Sequence, residues 1–172
     1  MIIWLTGLSA SGKTTIGRHL YELWTVEEQN TVIVDGDEIR DILKSSTGNN
    51  AYTELGRHYI AERYCDLCVW LDRQGINVIC CTISSFEELR ERNRKTLSKY
   101  FEVYVKVPME TLYARDQKNL YAPALAGEVK NVVGVDMEFS PPRSPDMVVD
   151  NSQDLADLRP VALEILNRAR EG

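Results

Sequence analysis

Gly7-Leu8-Ser9-Ala10-Ser11-Gly12-Lys13-Thr14 is the stretch whose reading decides the fold. It has the form G-x-x-x-x-G-K-[ST]. It falls between an apolar run at 2–6 and a segment carrying Ile16, Leu20 and Leu23 at helical spacing. That strand-to-helix context separates a phosphate-binding loop from an ordinary Gly/Ser-rich turn with an exposed lysine. Glycines let backbone N–H groups converge on phosphate oxygens, and the helix N-terminus adds positive potential. In this reading Gly7, Ser9, Ala10, Ser11, Gly12, Lys13, Thr14 and Thr15 cradle the phosphates of a nucleotide. Lys13 reaches the β and γ phosphates, and the Thr14 hydroxyl ligates Mg2+.

Outward from the loop, strand-like and helix-like segments alternate. Strands are predicted at 2–6, 31–34, 76–81, 101–107 and 147–149. Helices are predicted at 13–28, 38–43, 53–74, 86–100, after Pro108, and at 155–169. Such alternation makes an α/β domain with a mainly parallel sheet. The polar run 44–51 reads as a loop. The stretch 119–145 has no clear period and is long for a structureless connection, so it is expected to be functional, with a lid at 119–136.

The 172 residues are 44% hydrophobic and 27% charged, which fits one domain spanning 1–172 with a substantial core. Twenty Lys plus Arg against 26 Asp plus Glu give a net charge of −6. That balance argues against binding to duplex nucleic acid or to an anionic membrane. No apolar run approaches the ~20 residues of a membrane helix. Met1-Ile2-Ile3-Trp4-Leu5 lacks the basic start of a signal peptide. Cys65 and Cys68 share a helix face, and Cys80 and Cys81 adjoin at a strand end. Neither pair has the setting of a zinc knuckle, so free buried thiols in a reducing cytoplasm are expected. His19 and His58 read as helix-surface or core-edge residues, and Met109, Met137 and Met147 as packing. The charged run 87–95 (EELRERNRK) reads as a solvated helix face.

A second candidate site is Asp35-Gly36-Asp37-Glu38-Ile39-Arg40, directly after the second strand. In open parallel sheets, ligands lie beyond the carboxyl ends of strands. Two carboxylates there can hold Mg2+ or accept a proton from an attacking hydroxyl. Arg40, about one helical turn beyond Asp37, can clamp an anionic acceptor. The competing reading is a solvated Asp-Gly turn. A switch GTPase is disfavoured: Asp72-Arg73-Gln74-Gly75 is the one D-x-x-G and lies at a helix end, and no [NT]-K-x-D occurs.

Six segments taken together carry a resemblance: GLSASGKTT (7–15), DGDEIR (35–40), TIS (82–84), RD-x-K (115–118), LY (120–121) and AGEVKNVVGVD (126–136). Collinear over nearly the whole chain, they resemble adenylylsulfate (APS) kinase. The resemblance implies a P-loop NTPase fold of nucleoside-monophosphate-kinase type: a five-stranded parallel sheet with helices on both faces and a lid. It also implies transfer of the ATP γ-phosphoryl group to the ribose 3′-hydroxyl of a nucleotide whose 5′ end carries an anhydride. Lys13, Asp35 and Asp37 then become catalytic residues, Asp35 in the family's base position and, with Thr14, at the metal. Arg115 joins the ATP site. Asp37, Arg40, Tyr52, Arg57, Ile83, Ser84, Lys118, Lys130 and Val132 fall on the acceptor site. A homodimer with a small-molecule nucleotide acceptor is expected.

The departures from the family cluster at the acceptor. Ile60 stands where the family has asparagine, and Val132 where it has the phenylalanine that forms the second wall around adenine. Residues 122–128 (APALAGE) lack three of its lid cations. Stacking contributes on the order of 1–3 kcal/mol per base, so one lost wall weakens a purine site. Two acceptors stay open: APS, and a cytidine 5′-diphosphate derivative such as CDP-phosphoramidate, the acceptor of a related kinase. A nucleotide-binding pseudokinase and a sugar-type P-loop kinase are the readings from other classes; the complete loop and DGDEIR argue against both.

Overall fold

Every residue of β1 (Ile2–Thr6) is buried. That is what covering both faces of a central parallel strand demands, and it explains why the run shows no polar alternation. The computed structural model describes residues 1–44, 51–116, 119–153 and 157–172. In chain order β1 is followed by α1 (Lys13–Trp24), β2 (Thr31–Asp35), α2 (Gly36–Ile42), α3 (Glu54–Asp72) and β3 (Asn77–Thr82). Then come α4 (Glu87–Thr96), β4 (Tyr100–Lys106), α5 (Met109–Arg115), α6 (Tyr121–Leu125), β5 (Met147–Asp150) and α7 (Arg159–Glu171). The sheet order is β2-β3-β1-β4-β5, and every pairing is parallel. The strand order reverses beside β1, which places a cleft at the carboxyl ends of β1, β2 and β3.

Side chains of β1 alternate between two cores. Ile3 and Leu5 join α1 and α7 through Ile16, Leu20, Trp24 and Ile165. Ile2 and Trp4 join α3 and α4 through Ile60, Tyr64, Cys68 and Leu89. Each fully buried aliphatic side chain contributes about 1.5–3 kcal/mol. A third cluster joins Leu8 and Leu112 to Tyr121, Val132 and Val133 of the expected lid. Met147 is buried in the first core, while Met109 and Met137 pack against the third cluster. Gly17 lets α1 lie directly on β3, because a Cβ there would come within 2.5 Å of the Cys81 sulfur. All four cysteines are buried and free, and burial pushes the Cys65 and Cys81 thiols up to about 12.

Several boundaries differ from the periodicity reading. The first helix runs to Trp24 rather than 28, although the turn that follows keeps helical bonds: the Thr25 amide reaches the Tyr21 carbonyl at 3.0 Å, and the Glu27 and Glu28 amides share the Trp24 carbonyl at 3.1 and 2.9 Å. The helix expected over 86–100 spans Glu87–Thr96. Ser98 is caught by Asp72 through its amide at 2.8 Å and its hydroxyl at 2.6 Å, and Tyr100 then opens β4 against Ile2. The stretch 119–145 contains the short helix α6. The last helix opens at Arg159 with Pro160 in its first turn, a position that proline tolerates. Most of the loop expected at 44–51 lies outside the described residues. Among the described residues, no helix is long and apolar enough to cross a membrane.

Candidate active site

The loop between β1 and α1 turns through Gly12, whose φ of 99° is left-handed and whose missing Cβ leaves room for Asn151; an added Cβ would lie 2.7 Å from the Asn151 amide nitrogen. Lys13 then begins α1. Its Nζ donates to the Leu8 carbonyl at 2.7 Å and lies 3.4 Å from Ser11 Oγ, folded back across the loop. One residue on, Thr14 Oγ1 donates to Asp35 Oδ2 at 2.7 Å, which joins the loop to the end of β2. Asp35 is buried and its other oxygen caps α2, accepting from the Asp37 amide at 2.9 Å. Asp37 itself is exposed in the first turn of α2. Tyr64 braces this turn by donating to the Gly36 carbonyl at 2.6 Å, and burial pushes its phenol up to about 12.

A cleft of about 1090 Å3 runs from the loop to the far side of α2. Ser9, Ala10, Gly12, Lys13, Thr14 and Thr15 line one half. Arg40, Tyr52, Arg57, Ile83, Ser84, Lys130 and Val132 line the other, with Asp35 and Asp37 between them. In the second half the guanidinium groups of Arg40 and Arg57 both approach the Tyr52 ring, at 5.1 Å and 5.4 Å from its centre. Arg57 also donates to the Tyr52 carbonyl at 3.0 Å and to the Asn131 carbonyl at 2.6 Å, which ties α3 to the segment expected to be the lid. Burial, then the charge of Arg40, holds the Arg57 guanidinium below its ordinary value. Ile60 and Val132 are 2% and 3% exposed, so both are mostly packing residues that offer the cleft an apolar edge.

The expected site residues therefore converge, with exceptions. Gly7 and Ser11 are buried within the loop and are not among the residues that line the cleft. Arg115 is not among them either; it donates to the carbonyl of Asn151, whose side chain holds the phosphate loop, at 2.7 Å. Lys118 lies outside the described residues. His19 and His58 sit at the surface beside Glu22 and Glu88, at 3.4 and 3.2 Å.

Sequence reasoning missed four contributors. Asn151 donates to the Ser11 carbonyl at 2.9 Å, and Tyr121 to the Ser9 carbonyl at 3.0 Å. Phe86 and Arg143 line the acceptor half. Only the Leu120-Tyr121 pair carried a signal, as part of the family pattern. The run 87–95 also needs correction as a solvated face: Leu89, Arg90 and Asn93 are buried in it, because Arg90 meets Glu102 of β4 at 3.4 Å.

A loop built for phosphates, a carboxylate facing it from the next strand end, and a second half lined by arginine and an aromatic define a P-loop kinase fold. The chain belongs to the adenylylsulphate kinase family, whose model matches residues 1–150. It is 48% identical over 151 residues to the cytidine diphosphoramidate kinase of Campylobacter jejuni, covering 88% of this chain and 86% of that one. It is 37% identical over 155 residues to the adenylyl-sulfate kinase of Clostridium kluyveri, covering 90% and 76%. The APS kinase of Mycobacterium tuberculosis in complex with AMPPNP and APS superposes with a TM-score of 0.84 at 28% identity, over 98% of this chain and 96% of that one.

Proposed function

We propose that this protein transfers the γ-phosphoryl group of ATP to the ribose 3′-hydroxyl of a nucleotide 5′-anhydride, and that the acceptor is a cytidine 5′-diphosphate derivative such as CDP-phosphoramidate. The observation that carries the reading is the apolar acceptor wall. Val132 and Ile60 leave Tyr52 to stack the base, in a chain more similar to a cytidine diphosphoramidate kinase than to the adenylyl-sulfate kinase compared with it. APS is the second reading, favoured by the family match itself.

In this reading Lys13 leaves the Leu8 carbonyl for the β and γ phosphates and neutralises charge as the phosphoryl group moves. Asp35 and Asp37 flank the acceptor hydroxyl, Asp35 as the base that takes its proton. Arg40 and Arg57 bind the anionic 5′ end, and Lys130 flanks it from the lid. The Thr14 hydroxyl and the Asp35 carboxylate, 2.7 Å apart, are the hard oxygen donors that Mg2+ takes, so these residues fit the ion. Among the described residues no group of three His, Cys, Asp or Glu forms a metal cage. When bound it supplies charge neutralisation at the phosphates. A cytoplasmic homodimer remains our expectation, to be tested by light scattering.

The deciding experiment is a coupled ADP-release assay with APS, CDP, CDP-phosphoramidate, AMP and CMP. Loss of one stacking face and one amide from an adenine site predicts about 100-fold lower kcat/KM on APS than on the best cytidine acceptor. Ordinary efficiency on APS with no cytidine turnover would overturn the assignment. Val132→Phe should move preference toward APS, read together with a melting curve, because the buried site resists added volume.

A further inference from the structure

We propose that Arg90 and Thr6 are positioning residues for the acceptor: from inside the fold they hold two successive carbonyls and so aim the Ser84 and Ser85 amides into the cleft as a pair of donors. The inference rests on the reading that this half of the cleft takes the acceptor nucleotide.

The geometry begins with the peptide plane. In a trans peptide the carbonyl of one residue and the N–H of the next point in opposite directions, and among the described residues no peptide is cis. The Ile83 carbonyl accepts from Thr6 Oγ1 at 2.7 Å, and Thr6 is fully buried at the end of β1. The Ser84 carbonyl accepts from the Arg90 guanidinium. Each carbonyl is thus held toward a buried partner, so the Ser84 N–H points away from Thr6 and the Ser85 N–H away from Arg90, on two residues that line the cleft. Among the described residues no hydrogen bond engages either amide. Ser84 has a φ of 51°, rare for a non-glycine residue and kept here by the anchors on either side.

Arg90 is an unusual choice for such a place. Its side chain is 1% exposed, and a buried cation needs partners. It has four: Glu87 on its own helix, the Ser84 carbonyl, the Ser140 carbonyl at 3.4 Å, and Glu102 of β4 at 3.4 Å. One guanidinium thus fixes the end of β3, the chain returning from the lid, and the sheet. A hydrophobic residue would fill the space but leave the Ser84 peptide free to rotate.

Two adjacent donors fit an edge with two adjacent acceptors. Cytosine presents N3 and O2 side by side. Uracil sets an N–H beside O2, and adenine sets an amino group beside N1. The pair therefore favours cytosine and leaves a donor facing a donor with either alternative.

Steady-state kinetics of the whole protein test this, with CDP, UDP and ATP as probes. Thr6→Val removes the hydroxyl at nearly constant shape. Arg90→Lys keeps a cation for Glu87 and Glu102 but cannot hold the same set of carbonyls. Each variant should raise KM for CDP about fivefold or more, leave KM for ATP within about twofold, and narrow the CDP:UDP ratio of kcat/KM. Melting curves accompany both variants, and Thr6→Val carries the test alone should Arg90→Lys fail to fold. An unchanged KM for CDP, or a joint rise for ATP and CDP as in general loosening, overturns the proposal. If the wild-type protein uses APS and not cytidine nucleotides, the functional reading and the base assignment fail together. The positioning role then stands or falls on the same KM split measured with APS.

Discussion

Thr14 Oγ1 donates to Asp35 Oδ2 at 2.7 Å, and the second oxygen of the same carboxylate caps α2. One buried side chain thus fixes the phosphate loop and the acidic turn relative to each other, so its rotamer is set before any ligand arrives. Asparagine can keep the cap through its Oδ1 and turn its Nδ2 to donate to the Thr14 hydroxyl oxygen. Asp35→Asn should therefore fold and bind ATP while losing about 10²–10⁴-fold in kcat, the range of a lost general base. Titration with a non-hydrolysable ATP analogue and single-turnover transfer measure the two halves. Normal transfer by this variant would place the base elsewhere.

Lys13 is 9% exposed and rests on the Leu8 carbonyl. Its removal leaves that carbonyl able to bind water and should cost little stability, whereas the developing charge on the phosphates loses its nearest cation. Lys13→Ala is expected to lower kcat by at least ~10²-fold. A variant that turns over at close to the normal rate would remove the loop from the mechanism.

The parts of the site that were legible in the sequence are those whose chemistry is local. The G-x-x-x-x-G-K-T run and Asp35-Gly36-Asp37 each place a strand end and a helix start within a few residues, so motif and geometry coincide. Arg90 was hidden because its charged neighbours, Glu88 and Glu91, mimic a solvated face, and its partner Glu102 belongs to another element. Asn151 and Tyr121 reach the loop across 140 and 112 residues of chain, contacts that no local pattern encodes. The misplaced helix ends have the same origin: Ser98 is held by Asp72, which is distant in sequence.

Two carboxylates organise the stretch expected to be the lid. Asp116 accepts from the amides of Leu120, Tyr121 and Ala122 at 2.7–2.9 Å, and Asp136 from those of Asn131 and Val132 at 2.7 and 2.6 Å. These amides hold both carboxyls below the ordinary value of 3.8. A group whose value is depressed on folding contributes stability that is complete above its unfolded value and is lost as pH falls through the folded one. Exchange at amides 120–122 and 131–132, corrected for intrinsic rates, should therefore accelerate below pH 3.8 while β1 stays protected. At neutral pH the segment 119–136 should gain protection when ATP analogue and acceptor bind together. Protection that is indifferent to both acid and ligands would contradict a hinged lid anchored by these carboxylates.

Asn151 decides whether the phosphate loop is held from behind. It is 3% exposed; its amide nitrogen donates to the Ser11 carbonyl at 2.9 Å, and its backbone carbonyl accepts from Arg115 at 2.7 Å. Asn151→Ala leaves the buried Ser11 carbonyl without its donor, at a cost of about 1–3 kcal/mol. Asn151→Asp keeps the shape but turns an anionic oxygen toward that carbonyl in a dry site, which costs more than the alanine change. The expected order of stability by urea denaturation is wild type, then Asn151→Ala, then Asn151→Asp. Because the contact supports the loop and not the acceptor half, KM for ATP should rise in Asn151→Ala while KM for the acceptor stays near normal. Aspartate as stable as asparagine would show that the Ser11 carbonyl does not depend on this donor. Equal rises in both KM values would show that the residue supports the whole cleft rather than the loop.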